Sequence, residues 1–167
     1  MNKKPIIIAL VGPSGSGKTT LSLYLQEHCG IPAICSYTTR PMRPGEINGR
    51  DHWFVGPEHP IPANPLAYTF FGRNHYWTET SQIEGLKMCT YAIDEKGLIE
   101  LKEKWSNKYE ILSVHIDRQV RDDIDQSRIL RDHERINIDN YDILLDNDKD
   151  LNSFLKTAIT TIATFIE

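Results

Sequence analysis

The apolar run Ile6-Ile7-Ile8-Ala9-Leu10-Val11 passes without a gap into Gly12-Pro13-Ser14-Gly15-Ser16-Gly17-Lys18-Thr19. A buried strand that ends in a glycine-rich turn ahead of a helix confines the chain to few folds. The backbone N–H groups of the turn and the positive end of the following helix converge on one spot, which suits a nucleotide's phosphates. In this motif the lysine, Lys18, reaches the β- and γ-phosphates and the hydroxyl of Thr19 is a Mg²⁺ ligand. Gly12, Ser14, Gly15, Ser16, Gly17, Lys18, Thr19 and Thr20 are therefore the candidate donor-phosphate residues. A chance match to the pattern is expected in about 0.5% of chains this long.

With 167 residues the chain suits one sizeable core better than two. Its net charge of -4 and pI near 5.9 give no reason to expect a nucleic-acid partner. Cys29, Cys35 and Cys89 have no metal spacing and are odd in number, which predicts reduced thiols and a cytoplasmic location. The six histidines also lack metal spacing, so no protein-bound zinc is expected. Lys3-Lys4 and the apolar run faintly resemble a signal peptide, but the glycine-rich turn stands where cleavage would occur. No stretch approaches the ~20 apolar residues of a membrane span, so no membrane partner is expected. Monomer and homodimer remain equally open.

Leu21 and Leu25 stand one helical turn apart, and Gly30-Ile31-Pro32 stops that helix. The proline-punctuated segment from Ser36 to about Tyr76 reads as a mostly β insertion where a second substrate could bind. Beyond it the pattern predicts a short helix over 78–88, a strand over 89–94, a helix over 96–104 and a strand over 109–116. A charged helical region over 119–136, a strand over 141–145 and a final helix follow. That last helix aligns Leu151, Phe154, Leu155, Ala158, Ile159, Ile162 and Phe165 on one packing face. Alternating strands and helices predict an α/β fold, a parallel sheet flanked by helices with ligands at the strands' carboxyl ends.

The second informative segment is Ser36-Tyr37-Thr38-Thr39-Arg40-Pro41-Met42-Arg43-Pro44-Gly45-Glu46, which continues to Gly49-Arg50-Asp51-His52-Trp53-Phe54. Here the chain resembles the guanylate kinase family. Phe71-Gly72-Arg73-Asn74-His75-Tyr76-Trp77-Thr78, Ile93-Asp94-Glu95-Lys96-Gly97 and Tyr141-Asp142-Ile143-Leu144-Leu145-Asp146-Asn147-Asp148 extend the resemblance in order. It implies a P-loop NTPase-type core over 1–35 and 78–167, an acceptor-binding insertion over about 36–77 and a short lid over about 118–131. The implied reaction is ATP plus GMP giving ADP plus GDP, with Mg²⁺ carried by ATP. The implied catalytic residues are Lys18, Arg40, Arg43 and the lid's Arg131, with Arg128 the weaker match. Ser36, Arg40, Arg43, His52, His75, Thr78 and Asp94 would hold the acceptor, and Asn147 would lie beside the donor's base. Two arginines suit the acceptor because guanidinium forks grip phosphate oxygens bidentately.

The chain departs from that family in three respects. Leu66 stands where the family has a base-reading glutamate, a loss expected to weaken GMP binding about ten-fold to several-hundred-fold. His52 and His75 replace tyrosines, and the segment between Arg118 and Arg128 is shorter than the usual lid. Two other readings stay open: a nucleotide- or protein-binding module with little catalysis, and a kinase for another nucleotide or a sugar phosphate.

Overall fold

A computed structural model of the protein describes residues 3–119 and 140–167. Five strands form a parallel sheet in the order β2-β7-β1-β8-β9, namely Ala33–Ile34, Met88–Ala92, Ile6–Val11, Glu110–Asp117 and Ile143–Asp146. β1 is central and buried at every position. Its period of two sends Ile6, Ile8 and Leu10 to one face and Ile7, Ala9 and Val11 to the other. This explains an unbroken apolar run where a half-exposed strand would alternate.

Helix α1 (Lys18–Cys29) and helix α3 (Leu151–Ile166) cover the first face, where Leu21, Leu25, Phe154, Leu155, Ala158 and Ile162 pack on β1, β8 and β9. Helix α2 (Glu95–Trp105) covers the second with Leu98 and Leu101. Each of these Leu, Ile and Phe side chains contributes roughly 1.5–3 kcal/mol by leaving water. The parallel sheet between helices agrees with the fold class expected from the sequence.

A second, four-stranded sheet has the order β4-β3-β6-β5, from Trp53–Phe54, Tyr37–Thr38, Asn74–Thr78 and Ala67–Phe71. Its register is unbroken from Ala67↔Thr78 to Phe71↔Asn74. Alternation therefore gathers Thr38, Phe54, Thr69, Tyr76 and Thr78 on one face and Tyr37, Trp53, Tyr68, His75 and Trp77 on the other. The second face is an aromatic stack: Tyr37 lies 5.5 Å from Trp77, 5.5 Å from His59 and 6.3 Å from Trp53 between ring centroids.

Some expectations are corrected by the structure, and others fall outside the described residues. The helix expected over 78–88 is a 3₁₀ turn, Thr80–Ile83, between strands, because Thr80, Ser81 and Gln82 offer no apolar face and only Ile83 is buried. Leu151 and Phe165 are 53% and 52% exposed, because the ends of α3 overhang the sheet. The helical region expected over 119–136 lies almost wholly outside the described residues, as do Arg128 and Arg131. Leu66 is wholly buried with Ile83, Leu98 and Leu101, so it belongs to the core.

That packing makes Leu66→Glu a core lesion. An unpaired carboxylate there is expected to cost at least about 3 kcal/mol in a urea unfolding experiment. Stability within about 0.5 kcal/mol of the native protein would contradict the placement.

Candidate nucleotide site

Because all five strands of the main sheet are parallel, one edge collects the segments that leave their carboxyl ends. These are the glycine-rich loop after β1, Cys35-Ser36 after β2, Asp94 after β7, Arg118 after β8 and Asn147 after β9.

The loop is shaped by its neighbours. A Cβ on Gly12 would lie 2.2 Å from the Ile116 carbonyl oxygen, so only glycine lets the loop leave β1 beside β8. Gly17 caps α1 with φ +110°, a conformation that L side chains rarely adopt. Lys18 Nζ folds over the loop and donates to the carbonyls of Gly12 at 2.6 Å and Pro13 at 3.0 Å. Ser14 and Ser16 are buried, and Ser16 Oγ has no hydrogen-bond partner. Gly15, Thr19 and Thr20 are exposed at the loop's tip and the first turn of α1.

Two groups reach the loop from the ends of β8 and β9. Arg118 Nη1 donates to the Gly15 carbonyl at 3.2 Å, and Asn147 Nδ2 to the Ser16 carbonyl at 2.7 Å.

The second cluster sits on the Thr38–Phe54–Tyr76 face of the smaller sheet. Arg40 is 9% exposed, with its guanidinium 5.4 Å above the Phe54 ring. Glu46 grips it as a fork, Nη1 to Oε2 at 3.0 Å and Nη2 to Oε1 at 2.8 Å, and Nη1 also donates to the Pro41 carbonyl at 2.8 Å. Glu46 Oε2 accepts the Arg43 backbone N–H at 2.7 Å, which closes the turn. The Arg43 side chain projects into solvent.

The Glu46 hydrogen bonds raise the Arg40 pKa further, against burial, and the Tyr76 hydroxyl adds to that effect. Burial opposes ionisation of Glu46, yet the Arg40 fork, the Arg43 N–H and the charges of Arg40 and His52 hold its pKa below the usual carboxylate value.

His52 joins this group. Its Nδ1 lies 2.9 Å from Ser36 Oγ, and its ring meets Phe54 and Tyr76 edge-on at 5.7 Å. Burial, then the Arg40 charge, pushes its pKa below that of an ordinary histidine.

His75 is elsewhere. It points to the opposite face, where Nδ1 is 2.8 Å from the Tyr68 hydroxyl and the ring packs on Phe70. The tyrosine facing Arg40 and His52 is Tyr76, which sequence reasoning missed. The available signal was parity: Tyr76 and Thr78 are two residues apart on one strand and must share a face.

Thr78 is wholly buried, and its hydroxyl donates to the Tyr91 hydroxyl at 2.5 Å. Burial pushes the Tyr91 pKa upward. The residue opposite Thr78 on β5 is Ala67, so the position beside Thr78 carries a methyl group rather than Leu66. Asp94 is the N-cap of α2, with Oδ1 accepting the Gly97 N–H at 2.6 Å. Burial pushes the Cys35 and Cys89 thiols up, to about 11 and about 12, which favours the protonated form of both at neutral pH.

Comparison with known proteins agrees with this geometry. The guanylate kinase family model matches residues 2–167. A guanylate kinase of Nitrobacter winogradskyi is 35% identical over 127 residues, which cover 70% of this chain and 56% of that protein. The human guanylate kinase is 37% identical over 108 residues, 59% of this chain and 55% of that protein. The chain thus spans little more than half the length of these curated relatives. A crystal structure of guanylate kinase from Anaplasma phagocytophilum superposes with a TM-score of 0.70 at 19% identity, over 98% of this chain and 88% of that one, a likeness of fold. The chain belongs to the guanylate kinase family.

Proposed function

We propose that the protein is a nucleoside monophosphate kinase that transfers the γ-phosphoryl group of ATP to GMP. The observation that carries this reading is Arg40, a buried guanidinium locked in one orientation by Glu46 on the face shared by Tyr76 and His52. Glu46 and Pro41 occupy three of its N–H donors. The Tyr76 hydroxyl hydrogen-bonds to the same guanidinium, and it and the remaining donors can turn to an acceptor phosphate, onto which the solvent-facing Arg43 can also fold.

The donor phosphates belong to the glycine-rich loop, where they would give Ser16 Oγ the partner it lacks. Lys18 would exchange the carbonyls of Gly12 and Pro13 for phosphate oxygens. Thr19 offers a hard hydroxyl ligand at the start of α1. The Thr19 hydroxyl, exposed beside the loop, fits Mg²⁺ carried on the nucleotide. When bound, that ion neutralises charge on the transferring phosphoryl group. Phosphoryl transfer asks the chain's own residues mainly to align donor and acceptor and to stabilise charge, so no general base is assigned. Arg131, which lies outside the described residues, is by resemblance to the family the candidate for a further positive charge on the phosphates.

One observation favours a second reading, a kinase for another phosphorylated acceptor. Ala67 opposite Thr78 leaves no carboxylate there to accept guanine's ring N–H and amino group. A panel of GMP, dGMP, AMP, CMP, UMP and ribose phosphates with Mg-ATP separates the two by which acceptor stimulates ADP formation. Turnover is expected with GMP, to fall about 100-fold or more in Lys18→Ala, and to show an acceptor KM at least about ten-fold higher in Arg40→Lys with the ATP KM unchanged. Absence of Lys18-dependent turnover with every acceptor would contradict the kinase reading.

His52 generates a separate expectation. With its folded-state pKa depressed, the unfolded chain takes up the proton first as pH falls. Stability contributed here is therefore present above about pH 6.5 and is lost as pH falls toward the lower folded-state pKa. Urea midpoints between about pH 8 and 5 are expected to fall more steeply for the native protein than for His52→Asn. Parallel curves would contradict it.

A further inference from the structure

The residue after β9, Asn147, lies behind the glycine-rich loop and is 9% exposed. Its side-chain amide donates from Nδ2 to the Ser16 carbonyl at 2.7 Å, and its backbone N–H donates to the Asp117 carbonyl at 2.8 Å. The orientation of the side-chain amide is unambiguous, because a carbonyl oxygen only accepts. Asn147 thus ties the tip of β9 to the end of β8 and to the loop at once. We propose that Asn147 is a positioning residue for the donor-phosphate loop, aiming the Gly17 N–H at the phosphates. The proposal rests on the reading of this loop as the ATP site.

The argument is geometric. In a trans peptide the C=O and N–H of one unit point in opposite directions, and the described residues contain no cis bond. Fixing the Ser16 carbonyl toward Asn147 sends the N–H of the same peptide, that of Gly17, away from β9 and into the loop. Gly17 must hold φ +110° to do this, and a Cβ there would lie 2.6 Å from Asn147 Nδ2, so the two residues fit only as a pair. The neighbouring Gly15 carbonyl is held from the same side by Arg118 Nη1, but at 3.2 Å and in solvent. Asn147 is the buried member of this brace.

A base-free donor fragment separates this role from contact with the donor's base. Calorimetric titrations of the native protein, Asn147→Ala and the near-isosteric, uncharged Asn147→Leu would use Mg-ATP, inorganic tripolyphosphate with Mg²⁺, and GMP. In both variants the proposal predicts that ATP and tripolyphosphate weaken by the same factor, roughly 5- to 100-fold. GMP affinity should be unchanged, which certifies the fold. Asn147→Leu serves if the alanine variant does not fold, since it keeps nearly the same shape, adds no charge and removes the donor. Loss of ATP affinity with tripolyphosphate binding intact would overturn the proposal in favour of base contact, and unchanged affinity for both would overturn it outright. Native protein that binds GMP but neither ATP nor tripolyphosphate would overturn the donor-site reading itself, and this proposal with it.

Discussion

The backbone carbonyl of Ile116 occupies the space a side chain on Gly12 would need, and the rest of the site depends on that contact. It requires β1 and β8 to run side by side in register, Leu10 with Val114 and Val11 with His115, up to the point where the loop leaves. The register is held by two apolar clusters that bury β1 on both faces. Hydrophobic burial in the middle of the sheet thereby fixes the position of the glycine-rich loop at its edge. The loop's own hydrogen bonds need only supply curvature, and they do so through carbonyls: Lys18 on Gly12 and Pro13, Arg118 on Gly15, Asn147 on Ser16.

The smaller sheet works by a different principle. Its back is an aromatic stack around Tyr37 and Trp77, and its front carries a charge that is costly to bury unless it is paired. Glu46 meets that requirement for Arg40 with a two-point fork, and Phe54 supplies a flat surface beneath the guanidinium. The pairing also sets direction, because a forked guanidinium has one plane and its remaining donors leave along it. The two sheets are coupled where Thr78 meets Tyr91 and where Gln82 donates to the Cys35 carbonyl at 2.8 Å.

Much of this was legible in the residues. The unbroken run from Ile6 to Val11 followed by the glycine motif is local, and both strand and loop lie where that pattern put them. The apolar stripe of α3 was also visible, although overhanging ends expose Leu151 and Phe165. What escaped depended on parity and partners. A single-residue shift separates Tyr76 from His75 and Ala67 from Leu66, and in a strand such a shift reverses the face. No local pattern reveals that Tyr76 lies beside Arg40 until β3, β4 and β6 are paired. The bond from Asn147 to Ser16 spans 131 residues and is invisible without the fold. The roles of Arg128 and Arg131 lie outside the described residues.

The central claim is that donor and acceptor phosphates meet between the glycine-rich loop and the Arg40 face. A crystal structure with a bisubstrate analogue, adenosine joined to guanosine through five phosphates, tests it most directly. The account predicts one end of the phosphate chain on Lys18 and the loop amides and the other within hydrogen-bonding distance of Arg40 and Tyr76. Phosphates seated instead on the His75 and Tyr68 face, or leaving Arg40 without a contact, would contradict it.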